Sequence, residues 1–546
     1  MRHGAWRWIA LISITIMTVL PADGGQRPFY GGDLRVRTSG QLTRLEPASS
    51  PTTATDFALR LRLLPLVFEG LVKLNEQGRP EPLLAIAWNS SADFRRWNFT
   101  VRPGARFHDG SPVTASVLVD CLTTVENPFI VHEYEGKIVF ESADPMPDLP
   151  AVLAMPDRAI SRPTSKGATV GTGPFRIGEW EAGRRAVLVA FEDHWGGRPF
   201  VDRIFLEMAQ PPKNQWMDLE LGRADVIEIP VEEVRNTTQR GYRMLMSRPL
   251  ELMALFFSSP PSSPHDLDLR RALALAIDRD AILRVLLQRQ GEAAGSLLPQ
   301  WISGYGFLFD VVRDVTRARS LLPAPGQVPE FSVGYRAADR LARSIAERLA
   351  LDVQAVGIRL HPVPVQDPPL DSVTPAVMLV RVPIAIVDEK QALAGLASHL
   401  GLRLPEQTDW SQPESVFKAE RELLKDVRLI PLFHLPVCYA VGQRVRYQRP
   451  EDIFLTQPLH LESVWVENQV QASIRLDSIS GAQFLAMLSF GVRWPCHRTP
   501  KKRGTPPTNR RRHEFPHASS SHHRNGGRCC LHGSHLDPTC HYNSCV

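Results

Sequence analysis

The 546-residue chain is poor in the marks of catalysis. Before residue 490 it carries no G-x-S-x-G, no H-E-x-x-H and no paired C-x-x-C, so hydrolase and zinc-enzyme readings have no foothold. Cysteine is scarce there too. Cys121 and Cys438 are too few for a disulfide framework, and both are expected as unbridged, buried thiols. A basic surplus is also missing. The net charge is +5, but Gly491–Val546 holds ten Lys or Arg against Glu514 and Asp537, so the preceding 490 residues carry −3. That argues against a nucleic-acid-binding body. The one long apolar run, Trp8 to Leu20, falls short of a spanning helix. With Arg2 and Arg7 before it and Pro21 and Ala22 after it, it reads as a secretory signal peptide over residues 1–24. No cysteine lies near the cleavage region, which argues against a lipoprotein and for a periplasmic address.

What is present is an ordered series of strands, turns and helices. In residues 171–208, GTGPFRIGEWEAGRRAVLVAFEDHWGGRPFVDRIFLEM, the Gly171, Gly173, Pro174 cluster makes a turn. Phe175, Ile177 and Trp180 alternate with Arg176 and Glu179, and Gly183 turns the chain into Ala186–Ala190, which predicts a hairpin. A turn at Trp195–Pro199 leads to a strand at Ile204–Leu206. Leu34 and Val36 predict a strand, and Trp97, Phe99 and Val101 another with one wet face. Asp56–Leu71 has helical spacing that Pro65 breaks. Residues 269–287, LRRALALAIDRDAILRVLL, predict one amphipathic helix starting at Asp266 or Asp268, and Ala337–Val356 a later helix that leads into a strand. Helices alternating with strands define an α/β class, and 546 residues exceed one core.

These segments closely resemble the family 5 extracellular solute-binding proteins, the oligopeptide, dipeptide and nickel-binding components of ABC importers. The motifs that carry it are GTGPFRIGEW, WNFTVRPGARFHDGSPVTASVLVDCL, the alanine-rich helix ending in Ala276, Ile277, Asp278, Arg279, and LIPLFHLPVCYAVGQRVRY, and it spans residues 30 to about 466. The resemblance implies a two-lobed periplasmic-binding-protein-like fold of type II, in the large cluster with an extra subdomain. Residues 29–66, 160–250 and 436–466 would form the core of lobe I, 67–159 its extra subdomain, and 251–435 lobe II. It further implies a monomer that captures a peptide or similar polar solute between its lobes and hands it to an ABC permease in the inner membrane, with no cofactor, metal, catalytic set or nucleic acid involved. A ligand-sensing protein, or a degenerate non-transporting paralogue, would share the fold. The cleft would be lined from the loop after the first strand (Thr38, Ser39, Gly40), the helix-end loop (Phe68, Glu69, Gly70) and the crossing region (Phe256, Phe257, Ser258).

The resemblance is weakest over 365–430. Family members usually carry a tryptophan or glycine followed by an Asp-Pro-rich loop against the ligand, and in some peptide binders an aspartate of that lobe meets the ligand's amino terminus. Here LVRVPIAIVDEKQALAGLASHLGLRL offers no counterpart. His434, in an apolar run, reads as a hydrogen-bonded core residue that also lies near the expected cleft, and it is kept as a ligand candidate. His108 and Asp109, among glycines and prolines, read as a structural turn rather than an acid–base pair, and GTG at 171–173 lacks the lysine of a phosphate loop. From Pro495 the composition turns to eight His, five Cys and the clusters KKR and RRR, with no ligand spacing and little apolar periodicity. Residues 470–546 are therefore expected to be a disordered or frame-shifted tail that does not belong to the fold.

Overall fold

The computed structural model describes residues 28–47, 54–123, 129–164, 169–305, 312–323, 330–366, 375–405, 408, 410, 412 and 414–467. The chain divides after Ser478 into two units, and everything described belongs to the first. The expected signal peptide at 1–24 and the expected tail at 470–546 lie outside the described residues.

An eleven-stranded sheet organises the first unit. Its main strands are β1 Asp33–Arg37, β2 Phe175–Glu181, β3 Arg185–Ala190, β4 Arg203–Glu207, β5 Val226–Ile229, β6 Arg243–Phe257, β7 Glu330–Arg336, β8 Arg359–Val365, β9 Val377–Pro383 and β10 Leu429–Val441. They lie side by side in the order β2-β3-β4-β1-β5-β10-β6-β9-β7-β8, with the short strand Glu292–Ala293 also paired to β10. β1 runs parallel to β4 and β5, while at the other end β7 runs parallel to β8 and β9. The long antiparallel strands β6 and β10 fuse these two halves. β5 pairs the Cys438–Val441 end of β10, and β9 pairs the Glu251–Phe257 end of β6. This is the two-lobed α/β fold expected from the sequence.

All thirteen residues of β10 are buried, as expected of a strand covered on both faces. Proline cannot donate to a ladder, and Pro249 of β6 faces Pro436 of β10 where the pairing register slips. The two halves of the sheet meet at that slip.

Each half has its own core. Leu34, Val36, Leu188, Ile204 and Tyr439 pack with Leu59 and Leu63 of helix α1 (Ala54–Leu63). In the other half Leu252, Ala254 and Val382 form one cluster, and Leu255, Leu379, Ile345 and Leu349 belong to another. A separate four-stranded sheet, Ala85–Ser90, Arg96–Val101, Lys137–Glu141 and Ile130–Tyr134, encloses Trp97, Phe99 and Phe140.

The hairpin of β2 and β3 forms as predicted, with Gly183 at φ +71 in its turn. A bulge at Gly178 modifies the alternation: Ile177 and Trp180, three residues apart, both reach the same core. α1 ends before the 3-10 turn Leu64–Leu66, which contains Pro65. The single helix expected over 269–287 is two helices, α2 Pro264–Ala276 and α3 Arg279–Val285. Ser263 rather than an aspartate caps α2, and the Asp278 side chain accepts from the Ala281 N–H to start α3. Next come α4 Arg340–Gln354, capped by Asp339, and α5 Glu389–His399, capped by Asp388. Cys121 is half-buried and Cys438 buried, and they form no disulfide with each other.

The Gly171–Gly173 turn locks onto Leu66 and Val67, at the end of the 3-10 turn that follows α1. A Cβ on Gly171 would stand 2.1 Å from the Val67 carbonyl oxygen, and one on Gly173 2.7 Å from the Val67 carbonyl carbon. His108 joins the same seam. Its Nδ1 accepts from the Gly171 N–H at 3.3 Å, and its Nε2 meets the Gly173 carbonyl at 3.0 Å. That arrangement needs the neutral, Nε2-protonated ring, and burial lowers the His108 pKa to about 4.

Candidate functional site

Charges set into apolar stretches converge where the two halves of the sheet meet. Glu251 opens the run ELMALFF of β6, Arg381 interrupts LVRVP of β9, and Arg62 sits within the leucine-rich end of α1. A buried charge needs a partner, and these are one another's partners. The Glu251 carboxylate is shared: Oε1 accepts from Arg62 Nη2 at 3.2 Å, and Oε2 pairs with Arg381 Nη2. Arg381 Nη1 continues to Asp339 at 3.3 Å, at the cap of α4. On the other side Arg62 Nη1 donates to Glu228 Oε1 of β5 at 2.8 Å and to the Tyr439 hydroxyl of β10 at 3.3 Å.

The chain of contacts ends at the loop after β1. Glu228 Oε2 accepts from the Ser39 N–H at 2.9 Å and the Thr38 hydroxyl at 3.2 Å. Gln215 locks this corner by donating to Ser39 Oγ and accepting from the Glu228 N–H. The relay Asp339–Arg381–Glu251–Arg62–Glu228 thus runs from one half of the sheet to the other through the crossing strands.

Its electrostatics are those of a paired site that is dry at Arg62, 3% exposed, and opens to solvent at Arg381, 35% exposed. Burial alone would pull the Arg62 pKa down, but Tyr439, Glu228 and Glu251 outweigh it and hold it above the ordinary arginine value. The same opposition, with Glu251 and Asp339 as the partners, raises Arg381. Burial pushes the Tyr439 hydroxyl up to about 12 against the pull of Arg62. Burial also raises the nearby Cys438 thiol and the Glu232 carboxyl. Both guanidinium groups are therefore charged over the whole working pH range, and the site works by charge-assisted hydrogen bonds.

Of the ligand candidates expected from the sequence, the structure brings Thr38 and Ser39 into this relay, with Gly40 donating its N–H to the Thr38 hydroxyl. The others lie elsewhere. Phe68 is in the core, and Glu69 accepts from Trp195 Nε1 at 3.1 Å and meets His194 Nε2 at 3.2 Å, which ties the end of the α1 region to the Trp195 turn. Gly70 packs against the backbone of Val72 and Leu153. Phe256 and Phe257 lie under the Arg428 and Arg270 guanidinium groups, and Ser258 bonds the Ala376 carbonyl. His434 is buried, with Nε2 3.1 Å from the Leu297 carbonyl and Nδ1 3.3 Å from Glu292. The signal for Glu251 and Arg381 was in the sequence, since each is a lone charge in an apolar segment, whereas Arg62 shares its leucine-rich stretch with Arg60.

Segment 379–404, where the family pattern fades, meets the small subdomain. Lys390 of α5 pairs with Asp148, and a Cβ on Gly78 would stand 3.0 Å from the Val387 carbonyl oxygen. His399 of α5 stacks on Phe57 of α1 at 5.7 Å between ring centroids. A cavity of about 190 Å³ lies apart from the relay, lined by Phe200, Gln448, Asp452, Ile453, Ser463 and Trp465. Among the described residues no group of three or more His, Cys, Asp or Glu side chains is placed to hold a metal ion.

Two lobes joined by paired crossing strands, with polar groups of both meeting at the crossing, define the binding-protein class of α/β folds. Within that class the chain belongs to the bacterial extracellular solute-binding proteins, family 5, whose middle region matches residues 79–376. Its relatives include the nickel-binding periplasmic protein of Escherichia coli (strain K12), 24% identical over 337 residues, which are 54% of this chain and 64% of the relative. The dipeptide-binding protein of the same organism is 23% identical, over 51% of this chain and 62% of the relative. These alignments thus span less than two thirds of either relative. Among solved structures, NikZ from Campylobacter jejuni in complex with Ni(L-His) matches with TM-score 0.66 at 17% identity, over 79% of this chain and 99% of that one. The oligopeptide-binding protein AppA from Bacillus subtilis, in complex with a nonapeptide, matches with TM-score 0.64 at 16% identity, over 81% and 100%. At such identities the structural likeness speaks for the fold alone. Family members are periplasmic or extracellular, and among the described residues no helix is long and apolar enough to cross a membrane.

Proposed function

We propose that the protein is the periplasmic solute-binding component of an ABC importer, which captures a peptide or similar polar solute between its lobes and delivers it to an inner-membrane permease. The observation that carries this reading is the convergence on Glu251 of charged groups from both lobes, at the strands about which such lobes close. In this reading residues 29–66, 160–250 and 436–466 are the core of lobe I, 67–159 its subdomain and 251–435 lobe II. The protein acts as a secreted monomer, and as a carrier, not an enzyme. Thr38, Ser39, Arg62, Glu228, Glu251 and Arg381 form the polar floor on which a solute is read, with Gly40 closing the corner. Phe68, Glu69, Gly70, Phe256, Phe257, Ser258 and His434 would contribute through the packing around it.

Mass spectrometry of solute co-purified with the protein tests the reading. A polar small molecule or peptide should be recovered and, added back at about 100 times its Kd, should stabilise the protein by about 2.7 kcal/mol. Failure of co-purified, peptide and metal-chelate pools alike to stabilise it overturns the transport reading. A second reading, a non-transporting or ligand-sensing relative, is favoured by the segment LVRVPIAIVDEK, which lacks the family's Asp-Pro loop. It predicts solute binding, or none, in a gene with no neighbouring permease and ATPase genes.

A further inference from the structure

We propose that the Arg62–Glu251–Arg381 bridge is a latch that holds the two lobes together in the absence of solute, so that solute enters only after the chain opens its own ion pair. The bridge has the anatomy of a latch. Arg62 belongs to α1, whose Leu59 and Leu63 are anchored in the core around β1 and β4. Arg381 belongs to β9, whose Leu379 and Val382 are anchored in the cores of the other half. Glu251 stands between them at the register slip of the crossing strands and gives one carboxylate oxygen to each.

Within the relay, parting the lobes breaks one link, the 3.2 Å contact between Arg62 and Glu251. Arg62 then keeps Glu228 and Tyr439, and Glu251 keeps Arg381, which in turn keeps Asp339. No charge is left alone in either position. This separates a reversible latch from a permanent buried pair, in which breaking the bridge strands an uncompensated ion.

Two further contacts fasten the rim in the same sense. Lys390 pairs with Asp148, and His399 stacks on Phe57. Both join α5 to elements of the other half, and both are independent of the central carboxylate. A solute then competes with a closed empty state, and its apparent affinity falls by the fraction of molecules open to receive it. That consequence rests on the solute-binding reading, whereas the closed empty state does not.

Small-angle X-ray scattering on the full chain, stripped of bound solute by unfolding and refolding and checked by mass spectrometry, separates the two. The wild type should scatter as the closed form without any solute. Arg62→Met should move the closed-to-open ratio at least about tenfold toward open, the loss of the Arg62–Glu251 charge-assisted bond. Lys390→Ala should move it the same way by less. If Arg62→Met does not fold, Arg62→Lys, which keeps the charge and loses the fork, should open partially. A stripped wild type that is open and closes only when its co-purified solute is restored overturns the latch and leaves solute binding standing. Folded variants as closed as the wild type overturn it too. A closed wild type that binds no solute upholds the latch and removes the transport reading.

Discussion

The seam at Gly171–Gly173 and the bridge at Glu251 are both contacts between segments far apart in sequence, and they are built in opposite ways. At the seam the partners are backbone: glycines with no room for a Cβ, and a neutral histidine spanning two backbone groups. At the bridge the partners are long charged side chains on three separate elements, α1, β6 and β9. A backbone seam does not yield without unfolding, and a side-chain bridge can exchange partners. The seam is scaffold, and the bridge is where movement and recognition have room.

Substitutions should break the two in different ways. Glu251→Ala leaves Arg62 and Arg381 facing each other without their shared carboxylate, and should cost about 3–5 kcal/mol of unfolding free energy in urea. A cost near zero would mean the bridge is solvated.

At the seam acid is the probe. His108 is lowered to about 4 in the fold, against about 6.5 unfolded, so between these values the unfolded chain binds more protons. The stability this group supports is complete above about pH 6.5 and is lost as pH falls toward 4, about 3 kcal/mol in all. His108→Gln should flatten that part of the pH–stability curve, and an unchanged slope would remove His108 from the seam.

Gly173→Ala should cost about 1–3 kcal/mol by overpacking against Leu66 and Val67, with no change in lobe closure by scattering. Lys390→Ala, at the half-exposed rim, should cost less than about 1 kcal/mol while still shifting closure. The last two variants together sharpen the contrast: one changes stability without movement, the other movement with little stability.

The same contrast explains what could be read from the sequence. Strands, the hairpin, the break at Pro65 and the family resemblance follow from local periodicity and turn chemistry, which the fold obeys. The division of 269–287 into two helices was legible only as a cap, since Asp278 is compatible with a continuous helix until its side chain turns back to the Ala281 N–H. Thr38 and Ser39 were placed through the family, but the groups they meet were not. Arg62, Glu251 and Arg381 lie 189 and 130 positions apart, and periodicity carries no information about which distant charge a buried charge will find. What the sequence did hold was the anomaly itself, charges set into three apolar stretches, with Arg60 beside Arg62 in one of them.

The central claim is that solute binds at the crossing strands around Glu251. Hydrogen–deuterium exchange of the stripped protein, with and without its co-purified solute, tests it most directly. Protection should concentrate in Thr38–Gly40, α1, Leu250–Met253 and Val380–Val382. Protection confined to the cavity lined by Phe200 and Trp465, with these segments unchanged, would contradict it.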